Sequence, residues 1–275
     1  MAEITELKKL SHDAKRLMVT MLNRAKCGHP GGALSSLDTM IALYFDVMQI
    51  DPNDPKAVSR DYFLLSKGHS SVGLYAVLHL RGFIDRETLL SFRQDGSNLC
   101  GHPVLGKVPG VEMSTGSLGQ GLGVSCGLAY AFKADGKDNR VFCLIGDGES
   151  QEGSVWEAAM FAAHRKLDNL TVIVDRNGLQ IDGTTEEVTA LEPFADKWRA
   201  FGFDVECVDG HDFDSLLPAL RRRTVGRPRL VLAQTVKGKG ISFMENNRAW
   251  HGGGLSDELA QKATAELDRW ERDER

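Results

Sequence analysis

Asp147 and Asn177 are the residues whose types and spacing most directly imply chemistry. Asp147 stands in Gly146-Asp147-Gly148, just past one apolar run, and Asn177 just past the next. Neighbouring parallel strands lie about 4.8 Å apart, so two such runs joined by one crossover helix bring both side chains out at the same sheet edge. One carboxylate, one amide oxygen and a nearby backbone carbonyl form a sparse set of hard oxygens. That set suits Mg²⁺ or Ca²⁺ when a diphosphate supplies the remaining oxygens. The pair alone leaves a second reading open, in which Asp147 caps the following helix and Asn177-Gly178 is a plain turn.

Two further groups of residues point the same way. Gly116-Ser117-Leu118-Gly119-Gln120-Gly121 enters a helix with small residues, and bare backbone amides at a helix start suit an anion or a flat heterocycle. Close helix–sheet packing explains the same glycines equally well. His29, His69, His102 and His251 sit with Lys237 in Gly- or Pro-rich loops, where neutral imidazoles orient hydroxyls or relay protons near neutral pH. Four of the 8 histidines directly follow a glycine, more than 29 glycines in 275 residues give by chance. No Ser/His/Asp spacing and no Cys-x-x-Cys zinc pattern competes for these side chains. ATP and NAD are poorly supported, because no Walker motif occurs and no Gly-x-Gly-x-x-Gly opens a helix with an acid about 20 residues on.

The elements that must position these groups alternate along the chain. Residues 3–26 carry apolar positions at helical spacing and stop at Cys27-Gly28-His29-Pro30-Gly31-Gly32. A helix is expected over 34–48 and ends at Asp51-Pro52-Asn53-Asp54-Pro55. Strands are expected at 61–65, 140–145, 170–174, 203–208 and 230–235, with helices at about 71–82, 121–133, 152–166 and 212–223. This alternation predicts an α/β fold: a doubly wound, mostly parallel sheet with helices on both faces and an N-terminal helical segment. In such sheets ligands sit beyond the carboxyl ends of the strands, where this chain keeps its glycines and histidines. The last 12 residues, 8 of them charged, read as an exposed terminal helix.

Composition excludes other classes. Apolar residues make up 42% and charged residues 26%, as in an ordinary globular protein. The balance of 33 Lys+Arg against 38 Asp+Glu gives −5, with no basic patch for nucleic acid. No apolar run reaches the roughly 18–20 residues of a membrane span. Five cysteines without a Cys-x-x-Cys pair, and acids near the N-terminus where a secretory signal carries bases, lead to the expectation of a cytoplasmic protein.

The ordered set Gly28-His29-Pro30-Gly31, Ser66-Lys67-Gly68-His69, Gly101-His102-Pro103, Ser114 to Gly121, Gly146-Asp147-Gly148 through Asn177, and Trp250-His251-Gly252 resembles transketolases. It covers nearly the whole chain but only the N-terminal, diphosphate-binding half of a full-length member. The resemblance implies a single thiamine diphosphate-binding (PP-type) domain over 1–275, with 256–275 as its exposed C-terminal helix. It implies that Asp147, Asn177 and the Leu179 carbonyl hold Mg²⁺, with Ca²⁺ or Mn²⁺ as possible substitutes. His69, Gly148, His251 and Lys237 would meet the cofactor on its diphosphate side, and the Gly116, Ser117 and Leu118 backbone its rings. His29, His102 and His251 would face ketose hydroxyls and move protons, and Glu152 would lie at a subunit interface. Ser117 stands where many bacterial members carry proline; another branch has serine there, and the segment from Lys237 to His251 is similar to that branch. The family's activating glutamate, its aromatic stacking partner and its substrate-phosphate arginines belong to a second, pyrimidine-binding domain. The resemblance therefore implies the N-terminal subunit of a split, heteromeric transketolase, inactive without a C-terminal partner chain and expected as a heterotetramer. The alternatives are the α subunit of a 2-oxo acid dehydrogenase, which gives no reason for the histidine loops, and a non-catalytic regulatory paralogue, which gives none for complete metal and histidine sets.

Overall fold

The apolar runs become five parallel strands, β1 (Tyr62–Leu65), β2 (Val141–Gly146), β3 (Leu170–Arg176), β4 (Asp204–Asp209) and β5 (Arg229–Gln234), in the order β1-β2-β3-β5-β4. The computed structural model describes residues 3–273. Around the sheet run α1 (Ile4–Ala25), α2 (Pro30–Ser35), α3 (Leu37–Ala42), α4 (Ser71–Arg81), α5 (Arg86–Leu90), α6 (Gln120–Ala134), α7 (Gly153–His164), α8 (Thr185–Val188), α9 (Phe194–Ala200), α10 (Phe213–Arg221) and α11 (Asp257–Asp273).

Successive strand residues point to opposite faces, and the central strands are apolar on both. Phe142, Leu144, Ile173 and Val231 join a core with α1, α3, α4 and α10. Val141, Cys143, Ile145, Val172 and Leu230 join a second core with α6, α7 and α9. Each fully buried aliphatic side chain contributes about 1.5–3 kcal/mol, so covering both faces is what makes near-continuous apolar strands stable. The doubly wound sheet expected from the sequence is therefore present.

The winding opens the sheet at two points. The chain leaving β1 turns towards the core with α4, whereas that leaving β2 turns towards α7; the same divergence separates β3, followed by α9, from β5. Diverging connections open crevices at the carboxyl ends of the strands. Register sharpens this, since Gly146 pairs with Asp175 and Asp175 with Ala233. Asp147 and Asn177 thus emerge side by side.

Two expectations need correction. The helix expected over 34–48 is instead α2, α3 and a π turn at Leu43–Val47. Pro30 starts the helical chain early, and the Ser35 and Ser36 hydroxyls both donate to the Gly32 carbonyl, at 3.1 and 2.8 Å, a bond that bends helices. The terminal helix is exposed on one side only. Ala263 and Leu267 of α11 are buried in the core shared with α1, and Asp268 pairs with Arg16; residues 274 and 275 of the expected 256–275 helix lie outside the described residues. No helix among the described residues is long and apolar enough to cross a membrane.

Candidate active site at the carboxyl ends of the strands

A cleft of about 250 Å³ opens beyond β1, β2, β3 and β5. From the predicted set, Asp147, Gly148, Asn177, Leu179, His69, His251, Lys237, Leu118 and Glu152 line it. Gly116 and Ser117 are exposed and do not line it. His29 and His102 extend from its edge: the His29 ring lies 5.7 Å from His69, 5.9 Å from His251 and 5.6 Å from His102, and His69 stacks on His251 at 5.1 Å.

Glycines make this convergence possible. Gly116 has φ +147°, and a side chain there would meet the His102 ring at 3.2 Å. A side chain on Gly68 would strike Thr115 and the Gly116 backbone at 2.4–2.9 Å. Only glycine at both positions lets the loop after β1 and the loop before α6 approach this closely.

Asp147 is 2% exposed. Its Oδ1 accepts the Gly148 N–H at 2.7 Å, its Oδ2 the Gly178 N–H at 2.6 Å, and the Arg176 guanidinium stands 3.4 Å away. Burial first, and the Asp175 carboxylate second, push its carboxyl above the usual range. Asn177 donates from Nδ2 to Asp175 at 3.0 Å, and its Oδ1 accepts the Leu179 N–H at 3.1 Å. The Leu179 carbonyl accepts from the Lys237 ammonium at 3.0 Å. Among the described residues no group of three or more His, Cys, Asp or Glu forms a metal site, so any ion held here takes further oxygens from a ligand. The donors present fit such an ion: they are hard oxygens, Asp147 is crowded by negative charge, and a cation already faces the Leu179 carbonyl.

The bases are kept neutral. Burial, then Lys237, draws His251 down to about 4. Burial, then Lys67, takes His69 well below the ordinary range. His29 is lowered by burial and His102, and His102 by burial and Arg93. Lys237, 2% exposed, is lowered to about 8 by burial and then by Lys67. At pH 7 the cleft therefore presents neutral imidazoles, able to accept or donate one hydrogen bond at each nitrogen, beside an ammonium ion.

Three buried side chains that sequence reasoning missed support these groups. Lys67 pairs with Asp175 and donates to the Gly32 carbonyl at 2.9 Å. Burial alone would raise Asp175, but Lys67 holds it ionised below its usual range. Glu149 accepts the Gly119 and Gly146 N–H groups, each at 2.9 Å, and the Ser66 hydroxyl, joining the start of α6 to the ends of β1 and β2. The available signal was a charged residue where a buried strand ends, which marks Asp175 but gives no partner.

The chain matches the family model "Transketolase, thiamine diphosphate binding domain" over residues 7–273. It is 44% identical over 267 residues to an apulose-4-phosphate transketolase subunit of Phocaeicola vulgatus, covering 96% of this chain and 95% of that one. It is 43% identical over 265 residues to a 6-deoxy-6-sulfo-D-fructose transketolase subunit of Clostridium sp. (strain MSTE9), covering 94% and 96%. Among solved structures, transketolase from Campylobacter jejuni superposes with a TM-score of 0.90 at 33% identity, over 97% of this chain and 43% of that one. The fold and cleft define an α/β protein with a polar cleft at the carboxyl ends of its strands, and the chain belongs to the transketolase family, in its thiamine diphosphate-binding domain. It spans the length of the two subunit relatives and about two fifths of the solved transketolase.

Proposed function

We propose that the chain is the N-terminal subunit of a split transketolase, moving a two-carbon ketol unit from a ketose to an aldose with a pyrimidine-binding partner chain. The observation that carries this is the meeting, in one cleft, of the Asp147, Asn177 and Leu179 oxygens with His69, His251 and Lys237. Subunit relatives of matching length support the division into two chains, with a heterotetramer as the assembly and two-fold symmetry as its default. In this reading the protein works in the cytoplasm, on sugar phosphates of the pentose phosphate pathway.

The three oxygen donors would hold Mg²⁺, while Lys237, His69 and Gly148 would meet the diphosphate and Leu118 the rings. Thiamine diphosphate, when bound, supplies the electron sink for carbon–carbon cleavage. The neutral rings of His29, His102 and His251 orient the ketose hydroxyls and take or return a proton at a ring nitrogen. Glu152, at the cleft edge where α7 begins, faces the partner.

The test is ketol transfer from xylulose 5-phosphate to ribose 5-phosphate with thiamine diphosphate and Mg²⁺, comparing the chain alone with the chain plus its C-terminal partner. Activity only in the mixture is expected. Full turnover by the chain alone would refute the split enzyme, and turnover of 2-oxo acids instead would refute the ketol chemistry.

A further inference from the structure

His211, on the turn leaving β4, lies outside the cleft, yet both its ring nitrogens are engaged. Nε2 accepts the Val236 N–H at 2.9 Å, and Nδ1 stands 2.7 Å from Asp38 Oδ2. A backbone donor at Nε2 requires that nitrogen to be bare, so the proton sits on Nδ1 and is donated to Asp38. Asp38 is buried in α3 and takes a second hydrogen bond from Ser11 of α1. Burial would raise its carboxyl, but the Lys15 charge and the His211 bond outweigh that and hold it ionised. The ionised carboxylate in turn fixes the histidine tautomer.

The far end of this relay is the residue before Lys237. On the other side the Gly238 N–H donates to the Gly31 carbonyl at 3.0 Å, and the Lys237 carbonyl accepts the Asn246 N–H at 2.9 Å. A lysine side chain is long and rotamer-rich, and an ammonium gains by turning to water. Here Nζ meets the Leu179 carbonyl at 3.0 Å and His251 Nδ1 at 3.1 Å, and it reaches both only from a backbone held in place. We propose that His211 is a positioning residue: through the Val236 N–H, in the tautomer set by Asp38, it fixes the backbone from which Lys237 reaches into the cleft. The proposal rests on reading Lys237 as a diphosphate contact. It also gives β4, the edge strand, its link to the site.

Two substitutions separate the halves of the relay. His211→Asn places an amide nitrogen near the Nδ1 position, which keeps the Asp38 bond and abandons Val236. His211→Gln reaches the Nε2 position with its amide oxygen, which keeps Val236 and leaves Asp38 short of a donor. The readouts, on the full chain with its partner, are amide hydrogen exchange over residues 236–240, Tm, and thiamine diphosphate affinity with Mg²⁺. For His211→Asn, exchange over 236–240 should rise several-fold and affinity fall about tenfold, with Tm near the wild-type value. For His211→Gln, affinity should stay near wild type while Tm falls. Unchanged exchange in the asparagine variant would overturn the proposal, as would affinity tracking Tm in both variants. If the wild-type complex fails to bind thiamine diphosphate, the functional reading falls, and the exchange pattern still decides the role of His211.

Discussion

The amino and carboxyl ends of the same strands are both hollowed, and among the described residues the histidines His69 and His251 line the smaller hollow, not the larger. A groove of about 750 Å³ at the amino ends is bordered by Val58, Lys137, Arg140 and Arg223, against about 250 Å³ at the carboxyl ends. Around the larger groove the main charges are matched or in water. Arg140 pairs with Asp61 at 3.0 Å, the Asn139 amide donates to the Val58 and Arg60 carbonyls at 2.8 and 2.6 Å, and Lys137 and Arg223 are exposed. The smaller cleft holds Asp147 and Glu149 raised by burial and His69 and His251 lowered by it, and at its edge the buried His29 Nδ1 has no hydrogen-bond partner among the described residues. Buried groups shifted from their ordinary protonation, rather than volume, make the carboxyl end the candidate site.

The largest expected effect is at Asp147. Asp147→Ala should weaken Mg²⁺-dependent thiamine diphosphate binding by at least about 100-fold, read by calorimetry; unchanged binding would remove the metal from this end of the sheet. His102→Ala should lower turnover of the reconstituted complex by about 10²–10³ while cofactor affinity holds. A large loss of affinity would instead move His102 to the diphosphate.

Lys237 makes the contrast depend on pH. Its ammonium is intact below about 8, and an anion binds the protonated form, so cofactor affinity should fall as the pH rises through that value. Lys237→Met should weaken binding about tenfold and flatten the profile; a profile that persists in the variant assigns it to another group. His251 acts on stability. The folded chain resists protonating it until about 4, whereas the unfolded chain takes the proton near 6.5. The unfolded state therefore gains protons as the pH drops through that window, and stability declines. Thermal melts of His251→Gln should show a shallower decline, and an identical slope would show that other groups carry it.

The smallest effect belongs to the amino end. Arg223→Ala and Lys137→Ala should each change stability by no more than about 0.5 kcal/mol and leave cofactor affinity and turnover alone. A measurable loss of either would give the larger groove a function and break the comparison.

Much of the cleft was legible because strand, turn and helix are written locally. The apolar runs of β2 and β3 and the Gly146-Asp147-Gly148 turn placed Asp147 and Asn177 at one edge before any contact was known. The family resemblance of the histidine loops named most of the cleft's bases. The break near Ser36 was hidden because a helical apolar pattern carries no record of hydroxyls bonding back to the Gly32 carbonyl. The buried face of α11 was masked by its charge, since the few apolar positions that pack on α1 are outnumbered by solvated ones.

By itself, the sequence determined the parallel α/β architecture and the edge at which its polar loops gather, because strand periodicity and glycine turns act over a few residues. Tertiary structure decided which distant groups meet there. The Lys67–Asp175 pair spans 108 residues, the Ser66–Glu149 bond 83, and the His211–Asp38 bond 173. Each depends on β5 lying between β3 and β4, or on which face a connection takes. Desolvation is also what shifts His69, His251 and Lys237, and it exists only once both faces of the sheet are covered.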